Sequence, residues 1–178
     1  MIKKRVIRVG LLLIIISFSL GLSAIARGDV QGTYQLADEK QILPYQSDVA
    51  RFFSPPRNVR IEIDSNGTLN FFLFDESNFK QDQNNKTENM NTAIFFLMKI
   101  RRGIYFITLP KRCIYYIMIE NTLNKTIVYS VAIFVFGYES DILLYTEILL
   151  ASGLILIILS LTAIQSYFEK NIKCLDDF

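Results

Sequence analysis

Apolar positions change their spacing twice along this chain. From Val9 to Ala26 they are almost continuous, "VGLLLIIISFSLGLSAIA", and from Ile148 to Phe168 they are continuous again and carry no charge. Between these segments the period is two. Val59, Ile61 and Ile63 alternate with Arg60, Glu62 and Asp64, the pattern of a strand with one buried face. Asn66-Gly67 follows and predicts a hairpin turn, because both residues tolerate positive φ. The return strand places Leu69, Phe71 and Leu73 on one face and Phe72 and Phe74 on the other.

Further strands are predicted over Ala93–Ile100, Ile104–Pro110, Cys113–Asn121 and Thr126–Glu139, with shorter ones near Gly32–Leu36 and Val49–Phe53. Gly103, Pro110–Arg112 and Asn121–Asn124 fall between them as turns. About seven or eight strands, with turn signals every ~8–12 residues and no amphipathic helix among them, predict an all-β antiparallel sandwich, jelly-roll-like. Aromatics on both faces of several strands suit two packed sheets, or one open face that meets a partner. Glu76–Thr92 breaks the alternation; it is polar, rich in Asn and Gln, and predicts a surface loop. The Phe72 and Phe74 face, and the loop from Asn78 to Asn91, are the candidate partner surfaces to test first, although core packing is the favoured role for the two phenylalanines.

The terminal segments predict export. Lys3, Lys4, Arg5 and Arg8 precede the first, Leu11–Leu20 forms its core, and Gly21 is placed to end its helix. Ala24-Ile25-Ala26 then supplies the small residues of a signal-peptidase site, with the cut before Arg27. An uncleaved anchor stays open, since about 18 weakly polar residues are just long enough to span a bilayer. The last segment, about 21 residues or ~31 Å of helix, is long enough to cross the hydrocarbon core. Glu139, Asp141 and Glu147 lie before it, and Lys170 and Lys173 after it, so the tail is expected inside and the middle outside. Tyr145, Tyr167 and Phe168 are placed at the interfaces. The expected layout is a signal peptide or anchor over 1–26, an exported domain over 27–141, a membrane helix over 142–168 and a tail over 169–178.

Charge and composition narrow the function. Of 178 residues, 51% are hydrophobic, and the net charge is +2. Basic and acidic residues balance between Arg27 and Asp141, so the excess belongs to the membrane flanks. No nucleic-acid partner is expected. With no histidine in the chain, Ser-His-Asp and Cys-His pairs and the usual zinc sites are excluded. Gly32, Gly67, Gly103 and Gly137 are isolated and form no phosphate loop. No cofactor, metal or catalytic residue is expected, and the Asp64–Gly67 stretch is read as a turn in preference to a calcium loop. Cys113 lies in the exported part and Cys174 in the tail, so the two cannot pair; Cys174, near the membrane, is a candidate for acylation. Asn66, Asn85 and Asn124 each open an N-x-T sequon in a predicted turn or loop and are glycosylation candidates.

With the strands placed, "GTLNFFLFDESNF" and the later "GIYFITLPKRCIYYIMIEN" resemble exported jelly-roll modules of the GOLD and pre-peptidase C-terminal kinds. Tyr115, Tyr116, Ile119 and Asn121 occupy the positions of a "YY-x-x-I-x-N"-like strand, and the resemblance covers Val49 to Tyr138. The layout is similar to GOLD-domain cargo receptors, and Tyr167-Phe168 lies where those carry a paired-aromatic signal. The chain departs from them in having no disulfide pair, no coiled coil before the anchor and no terminal dilysine. The resemblance implies a non-catalytic binding module whose partner is another protein or a glycan, beside the lipid bilayer itself. A structural or accessory subunit of a membrane complex is the alternative.

Overall fold

The computed structural model describes the backbone of residues 2–28, 32–84 and 92–176, and the side chains of 5–28, 32–80 and 92–165. The elements in chain order are α1 (Ile2–Gly28), β1 (Gly32–Ile42), β2 (Ser47–Ser54), β3 (Asn58–Asp75), α2 (Glu76–Asn84), β4 (Phe95–Thr108), β5 (Cys113–Glu120), β6 (Ile127–Phe136) and α3 (Ser140–Asp176). They form two compact units: a sheet unit, Gly28–Glu139, and a helical unit made of Met1–Arg27 and Ser140–Phe178.

The sheet unit is organised around β3. Its six described strands all pair antiparallel in the order β1-β6-β3-β5-β2, with β4 on β3. One edge of β3 carries β4 from Asn58 to Leu73. The other edge carries β6 beside Asn58–Ser65 and β5 beside Asn70–Asp75. The sheet therefore curls about the middle of β3, and its two halves close over one core as a half-barrel, sandwich-like. At the closing seam Tyr34 of β1 donates its hydroxyl to the Phe53 carbonyl of β2 at 3.2 Å, and its ring lies 5.6 Å from that of Phe52. Alternation decides what enters the core. Val59, Ile61, Ile63, Leu69, Phe71 and Leu73 of β3 are buried, as are Tyr115, Ile117 and Ile119 of β5 and Ile127 to Val135 at every second position of β6.

Two predicted turns are absent. The chain runs through Asn66-Gly67 as one continuous strand, and through Gly103 likewise, so six long strands replace the expected seven or eight. At Asn66-Gly67 the register shifts between Asp64 and Leu69. The Ser65 hydroxyl lies 2.6 Å from the Gly67 carbonyl and 2.8 Å from the Arg101 carbonyl, and Asn66 Oδ1 accepts the Val128 amide at 3.0 Å. A Cβ on Gly67 would stand 3.0 Å from Ile127 Cγ1. The glycine thus admits the close passage of β6 at a bulge, where bending and not reversal is required. Asp64 is held by Arg102, whose Nε and a terminal nitrogen donate to its two carboxylate oxygens at 3.0 and 2.8 Å. That guanidinium keeps the Asp64 carboxyl below its ordinary value.

The expected loop after Asp75 begins instead as helix α2. Asp75 Oδ1 accepts the Asn78 amide at 2.8 Å and the Ser77 hydroxyl at 2.7 Å, and so caps the helix. Lys80 pairs with Glu76 at 2.7 Å one turn apart. The helix drives Phe79 onto Tyr116, ring centroids 4.1 Å apart and planes 3° from parallel. Phe72 and Phe74 are buried beneath it, with Met118, as a second, smaller core. The two phenylalanines are buried and take the packing role that the sequence favoured for them over a partner surface. Asn78 sits half-buried in the first turn of α2, while Asn85 and Asn91 lie outside the described residues.

Two carboxylates tie the ends of the sheet together. Burial works against the charge of Asp75, yet hydrogen bonds from Lys111 Nζ at 2.6 Å, from Ser77 and from the Asn78 amide outweigh it. Burial also opposes ionisation of Asp48, and bonds from Lys40 at 2.6 Å and from the Tyr129 hydroxyl overcome it. Both carboxyls sit below the ordinary value of 3.8. Their stabilisation is complete above that value and is lost as pH falls through the lower folded one. The unfolding midpoint of the full chain in detergent is therefore expected to drop on acidification below about pH 4, and Asp75→Asn to flatten part of that drop. A midpoint insensitive to pH between about 5 and 2 contradicts this pairing.

In the helical unit, α1 and α3 contain stretches of 24 and 26 residues, Arg5–Gly28 and Ser140–Gln165, long and apolar enough to cross a membrane. Gly21 does not end α1, which continues to Gly28, and α3 extends beyond the predicted 142–168 at both ends. Tyr167, Phe168 and Cys174 fall within the backbone of α3.

Candidate functional site

The outward face of the half-sheet β1-β6-β3-β4 carries an arrangement that register dictates. From Asn58 to Asp64 the even-numbered residues of β3 point away from the core, and each stands between a residue of β4 and one of β6. Asn58 lies between Thr108 and Phe136, Arg60 between Phe106 and Phe134, Glu62 between Ile104 and Ala132, and Asp64 between Arg102 and Ser130. A polar row is thus flanked by Phe106 and Ile104 at the middle of the β4 row and by Phe136, Phe134 and Ala132 on the β6 row.

The polar row pairs largely within itself, although, among the described residues, Arg60 Nε is buried without a hydrogen-bond partner. Arg60 reaches Glu62 Oε1 at 3.1 Å, and its guanidinium carbon lies 4.3 Å over the centroid of the Phe134 ring. Phe106 and Phe136 meet edge to face at 6.4 Å. With Arg60 and Phe134 they line a cleft of ≈ 220 Å³, and a second cleft of ≈ 300 Å³ runs past Glu62, Asp64, Arg102 and Ile104. Exposure is high for apolar side chains: Phe106 is 67% exposed and Ile104 59%. On β4 beyond Lys99, Phe96 and Met98 are exposed as well. Among the described strands β4 pairs with β3 alone.

A cleft of ≈ 480 Å³ lined by Asp75, Ser77, Lys80, Lys111 and Cys113 holds the Asp75–Lys111 ion pair described above. Among the described residues no three His, Cys, Asp or Glu side chains gather as a metal site. Cys113 begins β5, half-buried and free of any disulfide. Asn66 and Asn124 are both exposed, Asn66 on the β3 bulge and Asn124 in the turn before β6. Ala24 is fully buried within α1, while Ala26 is exposed on it.

None of the residues around Arg60 was singled out by sequence. A signal was present, since "IVYSVAIFVF" and "IYFIT" are apolar at both parities. Periodicity alone does not say whether the second face of such a strand meets another layer or solvent. Here Phe79 of α2 packs over the β5 half, on Phe72, Phe74 and Tyr116.

The fold and this face together define a class: a curled antiparallel β-sheet unit with an exposed aromatic–arginine face. Compared with protein-family models and with curated protein sequences, the chain matches none. Among solved structures, it is similar to the pre-peptidase C-terminal domain of a collagenase from Bacillus anthracis, at 14% identity and a TM-score of 0.38, over 58% of this chain and 87% of that one. A low-affinity xylan-binding module from Roseburia intestinalis aligns at 12% identity and a TM-score of 0.37, over 64% of this chain and 98% of that one. A periplasmic inhibitor of g-type lysozyme from Salmonella Typhimurium aligns at 19% identity and 0.36, over 59% and 86%. The functional reading rests on this chain's own residues.

Proposed function

We propose that this chain is a non-catalytic recognition module, tethered to a membrane by its apolar helices, and that it docks another protein on the Arg60 face. The observation that carries the reading is the cluster of exposed Phe106 with half-buried Phe134 and Phe136 around Arg60, continued along β4 by exposed Ile104. Aromatic residues, Met and Arg at the centre of a patch, with charges at its rim, are the composition of protein interfaces. Among the described residues of the face, Arg60 pairs with Glu62 and Arg102 with Asp64. Exposed apolar side chains grouped on one face, such as Phe106 and Ile104, are also a hazard unless a partner covers them. Basic residues at the outer ends of both helices favour a cytoplasmic tail and an extracytoplasmic sheet unit. Tethering raises the module's effective concentration toward a partner in the same membrane.

Phe106→Ala is expected to weaken partner binding by about 2 kcal/mol, roughly 30-fold, as for a central aromatic anchor. The check is recovery of a fixed partner from native membranes in mild detergent. Recovery falls with Phe106→Ala and is unchanged with Lys125→Ala, a rim change elsewhere. Equal recovery from both variants removes this face from the function, and a sugar polymer retained in place of a protein replaces the partner class.

A further inference from the structure

We infer that α1 is a permanent membrane span paired with α3, and not a leader that is removed, so that the sheet unit hangs from two spans. The inference rests on the membrane reading above and goes beyond it. Along α1, Gly10, Ser17 and Ala24 recur every seven residues and are all buried. On α3, Gly153 and Ser160 are buried at the same interval, with Thr146 seven residues before them.

These two rows meet. A Cβ on Gly10 would lie 2.9 Å from the Gly153 carbonyl oxygen, and one on Gly153 would lie 2.8 Å from the Gly10 carbonyl oxygen. No side chain fits there, and the two backbones touch. The Ser17 hydroxyl donates to the Thr146 carbonyl at 2.8 Å, so a polar group that would be costly in hydrocarbon is satisfied between helices. Gly10 facing Gly153, and Ser17 facing Thr146, makes the pair antiparallel.

In a bilayer, no hydrophobic drive brings helices together; close packing of small residues and interhelical hydrogen bonds do. The remaining faces suit lipid, since Leu12, Ile15, Phe18 and Leu22 of α1 and Ile155, Ile158 and Leu159 of α3 are exposed. A leader that is discarded has no use for a face matched to a helix at the far end of the chain. The expected cut also lies inside regular helix, with Ala24 fully buried, whereas a peptidase takes its substrate extended. Antiparallel pairing further brings Lys3, Lys4, Arg5 and Arg8 to the same end as Lys170 and Lys173, so one cytoplasmic side receives both basic flanks.

The test uses the full chain in host membranes, with Cys113→Ser and Cys174→Ser as background and a protease site inserted at the exposed turn 122–124. Mass spectrometry of the purified chain is expected to find Met1 or Ile2 at its start. Ser17→Cys with Thr146→Cys is expected to form a disulfide on mild oxidation, holding the two protease fragments together until reduction. Leu12→Cys with Ile158→Cys, on the lipid-facing sides, is expected to link at least fivefold less. Adding Gly153→Leu should lower the Ser17–Thr146 yield several-fold. An integral membrane chain that begins at Arg27 overturns this inference alone, as does a retained helix whose two cysteine pairs link equally. A chain washed off membranes by alkaline carbonate overturns the tether reading, and this one with it.

Discussion

Replacing Glu139 with alanine is expected to destabilise the sheet unit by about 3–5 kcal/mol, because a buried charge pair is broken from one side. Glu139 is only 5% exposed, and Arg57, which it meets at 3.3 Å, is 8% exposed. Its other carboxylate oxygen accepts from Arg112. The carboxylate thus joins three separate segments: the connection from β2 to β3, the turn before β5 and the chain leaving β6. Its loss leaves two guanidinium groups facing each other with their shared counter-charge gone. Glu139→Gln keeps the shape and loses the charge, and should fall between wild type and alanine. Arg57→Met with Glu139→Met removes both members of the buried pair and should recover part of the loss, since an apolar replacement has no desolvation to offset. Denaturant unfolding of the full chain in detergent, followed by hydrogen exchange of β3 amides, reads all three. A Glu139→Ala change under about 1 kcal/mol would show that the carboxylate is not the clamp described.

Phe71→Ala is expected to cost a further about 3–5 kcal/mol, the range for deleting a buried phenylalanine. Phe71 is fully buried, stands opposite Leu97 and Ile119 in register, and meets Phe95 edge to face at 6.4 Å. It lies just past the bulge where β3 exchanges β6 for β5 as its neighbour, so the cavity would open where the two half-sheets share one strand. Loss of exchange protection should spread to both β5 and β6. Protection lost in β5 alone would mean that the halves unfold separately, which contradicts a single core.

The strand content was legible because alternation records burial directly. Val59 to Asp64 reads as it folds, and the inward residues of β3, β5 and β6 follow the same parity from end to end. Turn chemistry was less informative. Asn66-Gly67 permits reversal but does not impose it, and here Ser65, Val128 and Ile127 use the same residues for a bulge. Helix α2 was hidden because its sequence is polar; its legible marks were only Asp75 as a cap, the Glu76–Lys80 spacing and the single Phe79. The Arg60 face required knowledge of which half-sheet α2 covers. The matched rows Gly10, Ser17, Ala24 and Thr146, Gly153, Ser160 are visible in the sequence once both helices are set antiparallel, and carry no meaning before that.

The most direct test of the Arg60 face is photocrosslinking in native membranes. A photoreactive amino acid placed at Phe106 or Phe136 of the full-length chain should give one discrete protein adduct, of the same mass from both positions. The same residue at Lys125, exposed in the turn before β6, should give none. Adducts of equal yield from Lys125, or no protein adduct from either phenylalanine position, would contradict docking on this face.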